Sequence, residues 1–353
     1  MQDLCAIGAT EQVRAAFEPY AARGLALGRV SIVHRDQYRL YTEEGEVSAQ
    51  AIGALLYHAA SPSELPAVGD WVAVQRVGDG EAMVHAVLPR RMKLSRRAAG
   101  TGEREQIIAA NIDVILIVSG LDLDFNPRRM ERYVALARKS GADVAIVLNK
   151  ADVSSDVAVR VEETKRIASG APVVAISATS SLGLAALKQL WNSGQTVALV
   201  GSSGVGKSTI VNWLLGEERQ RVREVRETDS RGRHTSTYRE LVPLPDGGAL
   251  VDTPGMREIQ LWASGESVDA AFDDVAELVR GCRFRDCSHG VESECAVQAA
   301  LLEGSLEAGR WRNYQKLRAE IAFQERKADP LAALEQKRQW KKIHKQMRHA
   351  GRN

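Results

Sequence analysis

Gly201-Ser202-Ser203-Gly204-Val205-Gly206-Lys207-Ser208 is a complete G-x-x-x-x-G-K-[ST] stretch, and it decides the fold of the domain that contains it. The residues before it, Thr196 to Val200, are apolar and β-prone, and Thr209 to Leu215 after it are typical of a helix. Strand, glycine-rich loop and helix in this order predict a loop whose backbone N–H groups bind phosphates. In such a loop Lys207 reaches the β- and γ-phosphates and Ser208 binds Mg²⁺. The alternative is a chance glycine-rich turn before a helix.

A second motif, which precedes the phosphate loop, predicts the base of the nucleotide. From residue 111 apolar strands alternate with helices, which is typical of a doubly wound α/β sheet. Asn149-Lys150-Ala151-Asp152 follows the strand predicted at Asp143–Leu148, at the edge where such sheets bind ligands. The Asp152 carboxylate can accept hydrogen bonds from guanine N1–H and its amino group, whereas adenine offers neither donor there. Because a desolvated carboxylate left unpaired is costly, the motif favours guanine.

Three further segments complete the predicted nucleotide site. Ser177-Ala178-Thr179 supplies, in guanine-binding folds, a backbone N–H for the guanine O6. Gly232–Thr237 is polar and arginine-rich like a switch loop, with Thr235, or failing that Ser236, placed to bind Mg²⁺. Asp252-Thr253-Pro254-Gly255 ends an apolar strand, where Asp252 would hold Mg²⁺ through water. The predicted nucleotide-binding residues are Asn149, Lys150, Asp152, Ser177, Ala178, Gly201, Ser202, Ser203, Gly204, Val205, Gly206, Lys207, Ser208, Thr209, Thr235, Asp252 and Gly255, with Ser208 and Thr235 on magnesium.

The N-terminal part has a different pattern. Five short alternating strands between Leu25 and Leu88 predict a small closed barrel of the OB type. One face of such a barrel often binds nucleic acid, and cations and aromatics are available for it: Arg29, His34, Arg35, Tyr38, Arg39, Tyr41 and Trp71. The alternative is that Trp71 and the tyrosines belong to the core. The cluster Arg90–Arg97 after the barrel is interpreted as a basic linker that contacts phosphates or is simply solvated.

Three cysteines and a histidine near the C-terminus have metal-ligand spacing. Cys282, Cys287, His289 and Cys295 follow the pattern C-x4-C-x-H-x5-C, which predicts a closed tetrahedral set for structural Zn²⁺. Buried thiols in a helical turn are the alternative. Helices are predicted at Trp311–Arg326 and from Leu331 to about Met347. The second is basic with Trp340 interleaved, which favours RNA contact over a solvated tail.

Composition limits the class of protein. The 353 residues are 44% hydrophobic and 26% charged, which predicts about two or three domains with sizeable cores. The formal net charge is only +2, so overall basicity does not indicate nucleic acid as a partner. No apolar run approaches the ~20 residues of a membrane helix, and the N-terminus lacks the features of a leader. We therefore expect a cytoplasmic protein without a membrane partner, with its clustered cysteines in a reducing compartment.

A base motif ahead of the phosphate loop resembles the circularly permuted GTPases. With the barrel before it and the cysteine cluster behind it, nearly the whole chain resembles the ribosome small subunit-dependent GTPase A family, also called YjeQ. The resemblance implies a bacterial GTPase that binds the 30S ribosomal subunit and its 16S rRNA late in maturation and hydrolyses GTP to GDP there. We expect one structural Zn²⁺, Mg²⁺ with the nucleotide, and a monomer. The alternatives are an RNA-binding scaffold in which GTP or GDP is a structural or regulatory ligand, and a metabolic phosphotransferase.

The catalytic group is less directly indicated. Met256 occupies the place after Gly255 where Ras-like enzymes carry the glutamine that orients water, so intrinsic turnover should be slow. His234 is the nearest titratable residue and is the predicted catalytic residue. Alternatively His234 contacts rRNA or solvent, and a ribosomal group acts on the water.

The predicted organisation has five parts. They are an N-terminal extension (1–24), an OB-fold-like β-barrel (25–90), a basic linker (91–110), a circularly permuted α/β P-loop GTPase domain (111–265), and a mainly helical zinc-binding domain with a basic C-terminal tail (266–353).

Overall fold

A computed structural model of the chain describes residues 3–78, 80–97, 105–216, 239–252, 268–269, 272–284, 287–290, 292 and 294–328. The chain divides into two compact units, Met1–Trp262 and Ala263–Asn353. None of the described helices is long and apolar enough to cross a membrane.

The first unit begins with a helix and a barrel. A 3-10 turn (Cys5–Ile7) precedes α1 (Glu11–Ala21), whose N-terminus is capped by Thr10, because its side chain accepts a hydrogen bond from the Val13 N–H. The barrel elements are β1 (Ala26–His34), β2 (Gln37–Thr42), β3 (Gly45–Ala51), α2 (Gly53–His58), β4 (Trp71–Gly78) and β5 (Glu81–Val87). Their order is β1-β2-β3-β5-β4, and β1 also pairs with β4. This pairing closes the sheet and confirms the predicted OB-type barrel.

Most of the residues proposed for a nucleic-acid face of the barrel are buried. Trp71 is 3% exposed, Tyr38 is 4% exposed and Tyr41 is 6% exposed, so the alternative that these aromatics are core is correct. Arg29 is 1% exposed because residues of the N-terminal segment cover the outer face of β1, where Ile7 O accepts a hydrogen bond from Arg29. Of the seven, His34, Arg35 and Arg39 are exposed.

The segment predicted as a basic linker contains an antiparallel hairpin, β6 (Lys93–Arg97) with β7 (Glu105–Ala110). Arg90, which precedes it, holds the buried Asp70 carboxylate through two hydrogen bonds, Nε–Oδ1 at 2.7 Å and Nη2–Oδ2 at 2.6 Å. This Arg90 guanidinium therefore stabilises the barrel and is not available to RNA phosphates. The number of basic residues in this segment does not show that one of them, Arg90, pairs with a buried carboxylate.

The second half of this unit is a doubly wound sheet. Its elements are β8 (Val114–Gly120), α3 (Pro127–Lys139), β9 (Asp143–Asn149), α4 (Val157–Ile167), β10 (Val173–Ala175), α5 (Leu184–Lys188), β11 (Thr196–Val200), α6 (Lys207–Leu215), β12 (Glu240–Pro243) and β13 (Ala249–Asp252). The strand order is β10-β9-β8-β11-β13-β12, parallel except for β12. Every residue of β8 and β11 is buried, as expected for parallel strands covered on both faces. Ile32 of β1 pairs with Glu240 of β12, so one sheet continues into the barrel.

The second unit is helical in its described part. It contains α7 (Asp273–Arg280), α8 (Ala296–Glu303) and α9 (Ala308–Ala328), and α9 contains the helix predicted at Trp311–Arg326. Phe272, Val275, Val297, Trp311 and Tyr314 are among its buried side chains. The predicted basic helix from Leu331 lies outside the described residues.

Candidate guanine nucleotide and metal sites

The phosphate loop connects β11 to α6 in the predicted manner. Its backbone has positive φ at Gly201 (151°), Gly204 (80°) and Gly206 (92°), conformations that L side chains rarely adopt. A Cβ on Gly201 would overlap the Val118 carbonyl oxygen, and one on Gly206 would overlap the side-chain nitrogen of Asn149. All three positions therefore favour glycine because φ is positive. Gly201 and Gly206 also have no room for a side chain, because atoms of other segments lie too close.

The N-terminus of α6 is arranged for an anion. The helix begins at Lys207, so the backbone N–H groups of its first turn point toward the loop. Lys207 Nζ donates to Gly201 O at 2.7 Å and to Ser202 O at 2.5 Å. The ammonium is thus held across the loop by two carbonyl oxygens. Oxygens of a bound phosphate are stronger acceptors for an ammonium than these carbonyls.

Asn149 joins the three loops of the site. Its side chain is 3% exposed, donates from Nδ2 to Val205 O at 2.8 Å and accepts at Oδ1 from the Ala178 N–H at 3.0 Å. The end of β9, the phosphate loop and the loop after β10 are therefore tied together by one amide. Each polar atom of the amide makes one bond inside the protein, and its second Nδ2–H and second Oδ1 lone pair are not used by these bonds, so the predicted role of Asn149 in binding the nucleotide stays a prediction.

The two charged residues of the same motif are more accessible. Lys150 adopts a left-handed conformation (φ 67°), and its Nζ lies 2.5 Å from Asp122 Oδ2. Asp152 lies in the 3-10 turn Ala151–Val153 and is exposed, so its carboxylate is open to a ligand. Asp122, the partner of Lys150, belongs to none of the sequence motifs that predict the nucleotide site. The available signal was its position just after an apolar strand, β8, at the carboxyl edge of the sheet.

The structure describes only some of the remaining residues that are predicted to bind the nucleotide. Asp252 ends β13 at the edge of the sheet that holds the phosphate loop. His234, Thr235, Gly255 and Met256 lie outside the described residues, so their predicted roles stay predictions.

The second unit brings together a Cys₃His cluster. One ligand atom each of Cys282, Cys287, His289 and Cys295 lies within 4.8 Å of all the others. The Cys282 and Cys295 sulfurs are 3.8 Å apart, and His289 Nδ1 is 3.5 Å from Cys282 Sγ and 3.6 Å from Cys295 Sγ. Three sulfurs and one imidazole nitrogen converging in this way can bind a metal ion.

Backbone hydrogen bonds favour the thiolate form of one of the four ligands, Cys282. Burial opposes ionisation of the Cys282 thiol, but hydrogen bonds from the Val297 and Ala296 backbone lower its pKa below the usual value. The His289 ring packs edge-on against Trp311 with centroids 5.2 Å apart, so its orientation is set by the core.

A doubly wound sheet whose base motif precedes its phosphate loop defines a circularly permuted P-loop GTPase. The sequence profile of the RsgA GTPase family matches residues 87–262, and the ABC transporter profile matches residues 186–351. Both stretches contain the phosphate loop, which P-loop NTPases share. The chain belongs to the RsgA GTPase family, so the predicted family and the predicted GTP-hydrolysing activity are confirmed.

Individual relatives cover most of the chain. "Small ribosomal subunit biogenesis GTPase RsgA" of Opitutus terrae is 45% identical over 98% of this chain and 97% of its own length. The protein of the same name from Methanosarcina acetivorans is 43% identical over 91% of this chain and 86% of its own length. Among solved structures, YjeQ from Thermotoga maritima has 26% identity and a TM-score of 0.64, covering 84% of this chain and 99% of that chain. YloQ, a circularly permuted GTPase, shares the fold with a TM-score of 0.59 at 21% identity, over 85% of this chain and 96% of its own.

Proposed function

We propose that this GTPase acts in small ribosomal subunit biogenesis, binding the 30S subunit late in its maturation and hydrolysing GTP to GDP when the subunit stimulates it. The observation that carries the proposal is the Asn149 amide, which ties the phosphate loop to both base-recognition loops. The site predicted to bind guanine is preorganised in this way, and the relatives of the chain are named small ribosomal subunit biogenesis GTPases.

In the proposed complex, Asp152 accepts hydrogen bonds from guanine N1–H and the exocyclic amine. Two backbone N–H groups of the tripeptide after β10 are used inside the protein, that of Ser177 by Leu182 O and that of Ala178 by Asn149 Oδ1. We therefore assign the guanine O6 to the N–H of Thr179, which is exposed. Lys207 and the α6 N-terminus hold the phosphates, and Ser208, Thr235 and Asp252 hold Mg²⁺.

For hydrolysis we propose that His234 polarises the attacking water once the subunit orders its surroundings. Two features of the sequence support this: Met256 cannot align water, and His234, which can exchange a proton near neutral pH, is adjacent to Thr235, the residue proposed to bind Mg²⁺. His234→Ala should abolish subunit-stimulated hydrolysis while leaving GTP affinity intact. Undiminished stimulated turnover would assign the role to another group, such as one from the ribosome.

For the metal we propose one structural Zn²⁺ bound by Cys282, Cys287, His289 and Cys295, since three thiolates and an imidazole suit tetrahedral zinc. Elemental analysis of purified protein should find one zinc per chain, and Cys287→Ser should lower that content without changing GDP affinity.

We further propose that the 16S rRNA is the part of the subunit that is contacted, by exposed cations of the barrel such as Arg35 and Arg39 and by the basic residues beyond residue 328. A monomer working in the cytoplasm, where subunits mature, fits this role.

The decisive experiment measures GTP hydrolysis by the full chain with and without purified 30S subunits. We expect slow turnover alone and strong stimulation by the subunit. Turnover that is equally slow in both conditions would support a scaffold that uses the nucleotide as a ligand, and a phosphorylated small-molecule product would indicate a phosphotransferase.

A further inference from the structure

The loop after β8 contributes a carboxylate to the base site that none of the GTPase motifs includes. Asp122 Oδ2 lies 2.5 Å from Lys150 Nζ, although the two residues are 28 positions apart in sequence. Neighbouring parallel strands bring them together: Gly120 of β8 is in register with Asn149 of β9, and the Leu121 N–H donates to Asn149 O at 2.8 Å. The register of the two strands therefore brings the two side chains together.

The Asp122 carboxylate is itself held in place. Its second oxygen, Oδ1, accepts a hydrogen bond from the Asp124 N–H at 3.1 Å. Burial opposes its ionisation, but the hydrogen bond and charge of Lys150 together with backbone hydrogen bonds from Asp124 and Asp122 lower the pKa of Asp122 below its usual value. The carboxylate is therefore charged at neutral pH and oriented before any ligand arrives.

Lys150, in contrast, needs such a partner. Its side chain has four rotatable bonds, and immobilising a lysine costs up to about 2 kcal/mol in rotamer entropy. The residue stands between Asn149, which is locked by hydrogen bonds, and Asp152, which is proposed to bind the base. Without a partner its alkyl chain would sample many positions over the base site. With Asp122 it is confined before binding, so less entropy is lost when a nucleotide packs against it.

We propose that Asp122 is a positioning residue that holds the Lys150 side chain against the guanine nucleoside and thereby strengthens nucleotide binding. The inference rests on the proposed function, because it assumes that Asn149–Asp152 binds guanine. Asp122 acts through Lys150 and contacts no reacting phosphate, so its effect falls on affinity and on nucleotide release rather than on the chemical step.

The test measures binding and release of N-methylanthraniloyl-GDP by the full chain. Asp122→Asn and Asp122→Ala should each weaken binding about twofold to fivefold, the range of a partly exposed ion pair, mainly through faster release. The matched control is Asp156→Asn, which removes another paired carboxylate, bound to Arg160 at 3.0 Å rather than to Lys150. This control should bind like the wild type. Affinity that is unchanged or higher in both Asp122 variants would overturn the proposal.

A double-mutant cycle separates positioning from a general structural role. In a Lys150→Ala background, Asp122→Ala should have less than a twofold further effect, because the residue through which it acts is gone. An effect as large as in the wild type, or an Asp122→Ala melting temperature that falls far below that of Asp156→Asn, would overturn the inference.

Failure of the base site itself is detected independently by Asp152→Asn. If this variant keeps its preference for guanine over xanthine nucleotides, the assumed base site is wrong. If it loses that preference while the Asp122 variants bind like the wild type, only the role of Asp122 is wrong.

Discussion

The carboxyl edge of the GTPase sheet and the outer face of the barrel both carry polar and aromatic residues that suggest ligand contacts, but their surroundings differ. At the sheet edge, Asp152 is exposed and Asn149 is hydrogen-bonded between the loops. In the barrel, Trp71 is 3% exposed and Arg29 is 1% exposed, with the Arg29 guanidinium 5.0 Å above the Trp71 ring. The spaced motif thus predicted which loops come together, whereas residue type alone did not predict that Trp71 and Arg29 are buried.

The reason is physical. A motif such as the phosphate loop specifies backbone conformation as well as side chains, because its glycines are required by positive φ. A set of cations and aromatics on short strands specifies neither. Its members alternate between two faces of a sheet, and whether the outer face meets solvent depends on what else packs there.

The largest expected effect is on the stability of the barrel, because Trp71 is buried there. Trp71→Ala should lower the free energy of unfolding by about 3–5 kcal/mol, because it deletes a large buried side chain. Urea denaturation measures this, with Arg39→Ala as a control that should stay within about 0.5 kcal/mol of wild type. A Trp71→Ala protein of unchanged stability that loses 30S binding would restore Trp71 to an RNA-binding face.

Next in size is the base selectivity at the sheet edge. Asp152→Asn should weaken GDP binding by about 100-fold or more, since the amide cannot accept from both guanine donors, and should favour xanthosine diphosphate, whose C2 carbonyl accepts from the amide. Titration with both nucleotides measures this. Because Asp152 is exposed, the melting temperature without nucleotide should not change. Equal selectivity in variant and wild type would contradict the assignment.

A somewhat smaller effect is expected at the phosphate loop. Gly206→Ala should weaken GDP binding by about 30- to 100-fold, because the new methyl group must displace the Asn149 amide that ties the loops together. Gly216→Ala is a matched control: its φ is also positive, at 69°, but nothing lies within 4 Å of the added carbon. Both variants should lose similar backbone stability, of about 1 kcal/mol, but only Gly206→Ala should lose affinity. Equal affinities in the two variants would show that the contact of residue 206 with Asn149 does not determine nucleotide affinity.

The smallest effect concerns the exposed part of the barrel. A double substitution, Arg35→Ala with Arg39→Ala, should weaken 30S binding less than tenfold at physiological salt and reduce the salt dependence of binding by about one charge per arginine. Sedimentation with 30S subunits at several salt concentrations measures this, and the melting temperature should match wild type. A salt dependence identical to wild type would remove these arginines from the interface.

Much of the fold was predictable from the sequence because its strands and helices carry clear local patterns. The strand Thr196–Val200 has the predicted limits, and the strand predicted at Asp143–Leu148 extends one residue further, to Asn149. The β6–β7 hairpin was missed, since its basic residues resemble a solvated run and its pairing is not a local property. Helices α2 and α5 were also missed, because segments this short carry little periodicity.

By itself the sequence determined the phosphate loop, the Asn149–Asp152 motif and the Cys₃His set, because in each the chemistry and the backbone geometry are specified within a few tens of residues. Only the tertiary structure decided which side chains outside those motifs meet. Arg29 donates to Asn111 O at 3.3 Å and to Thr196 Oγ1 at 2.7 Å, residues that are 82 and 167 positions away in sequence. Asp122 likewise reaches Lys150 only because β8 and β9 are neighbours in the sheet. Burial and pairing of this kind depend on how distant segments pack, and no local pattern encodes that packing.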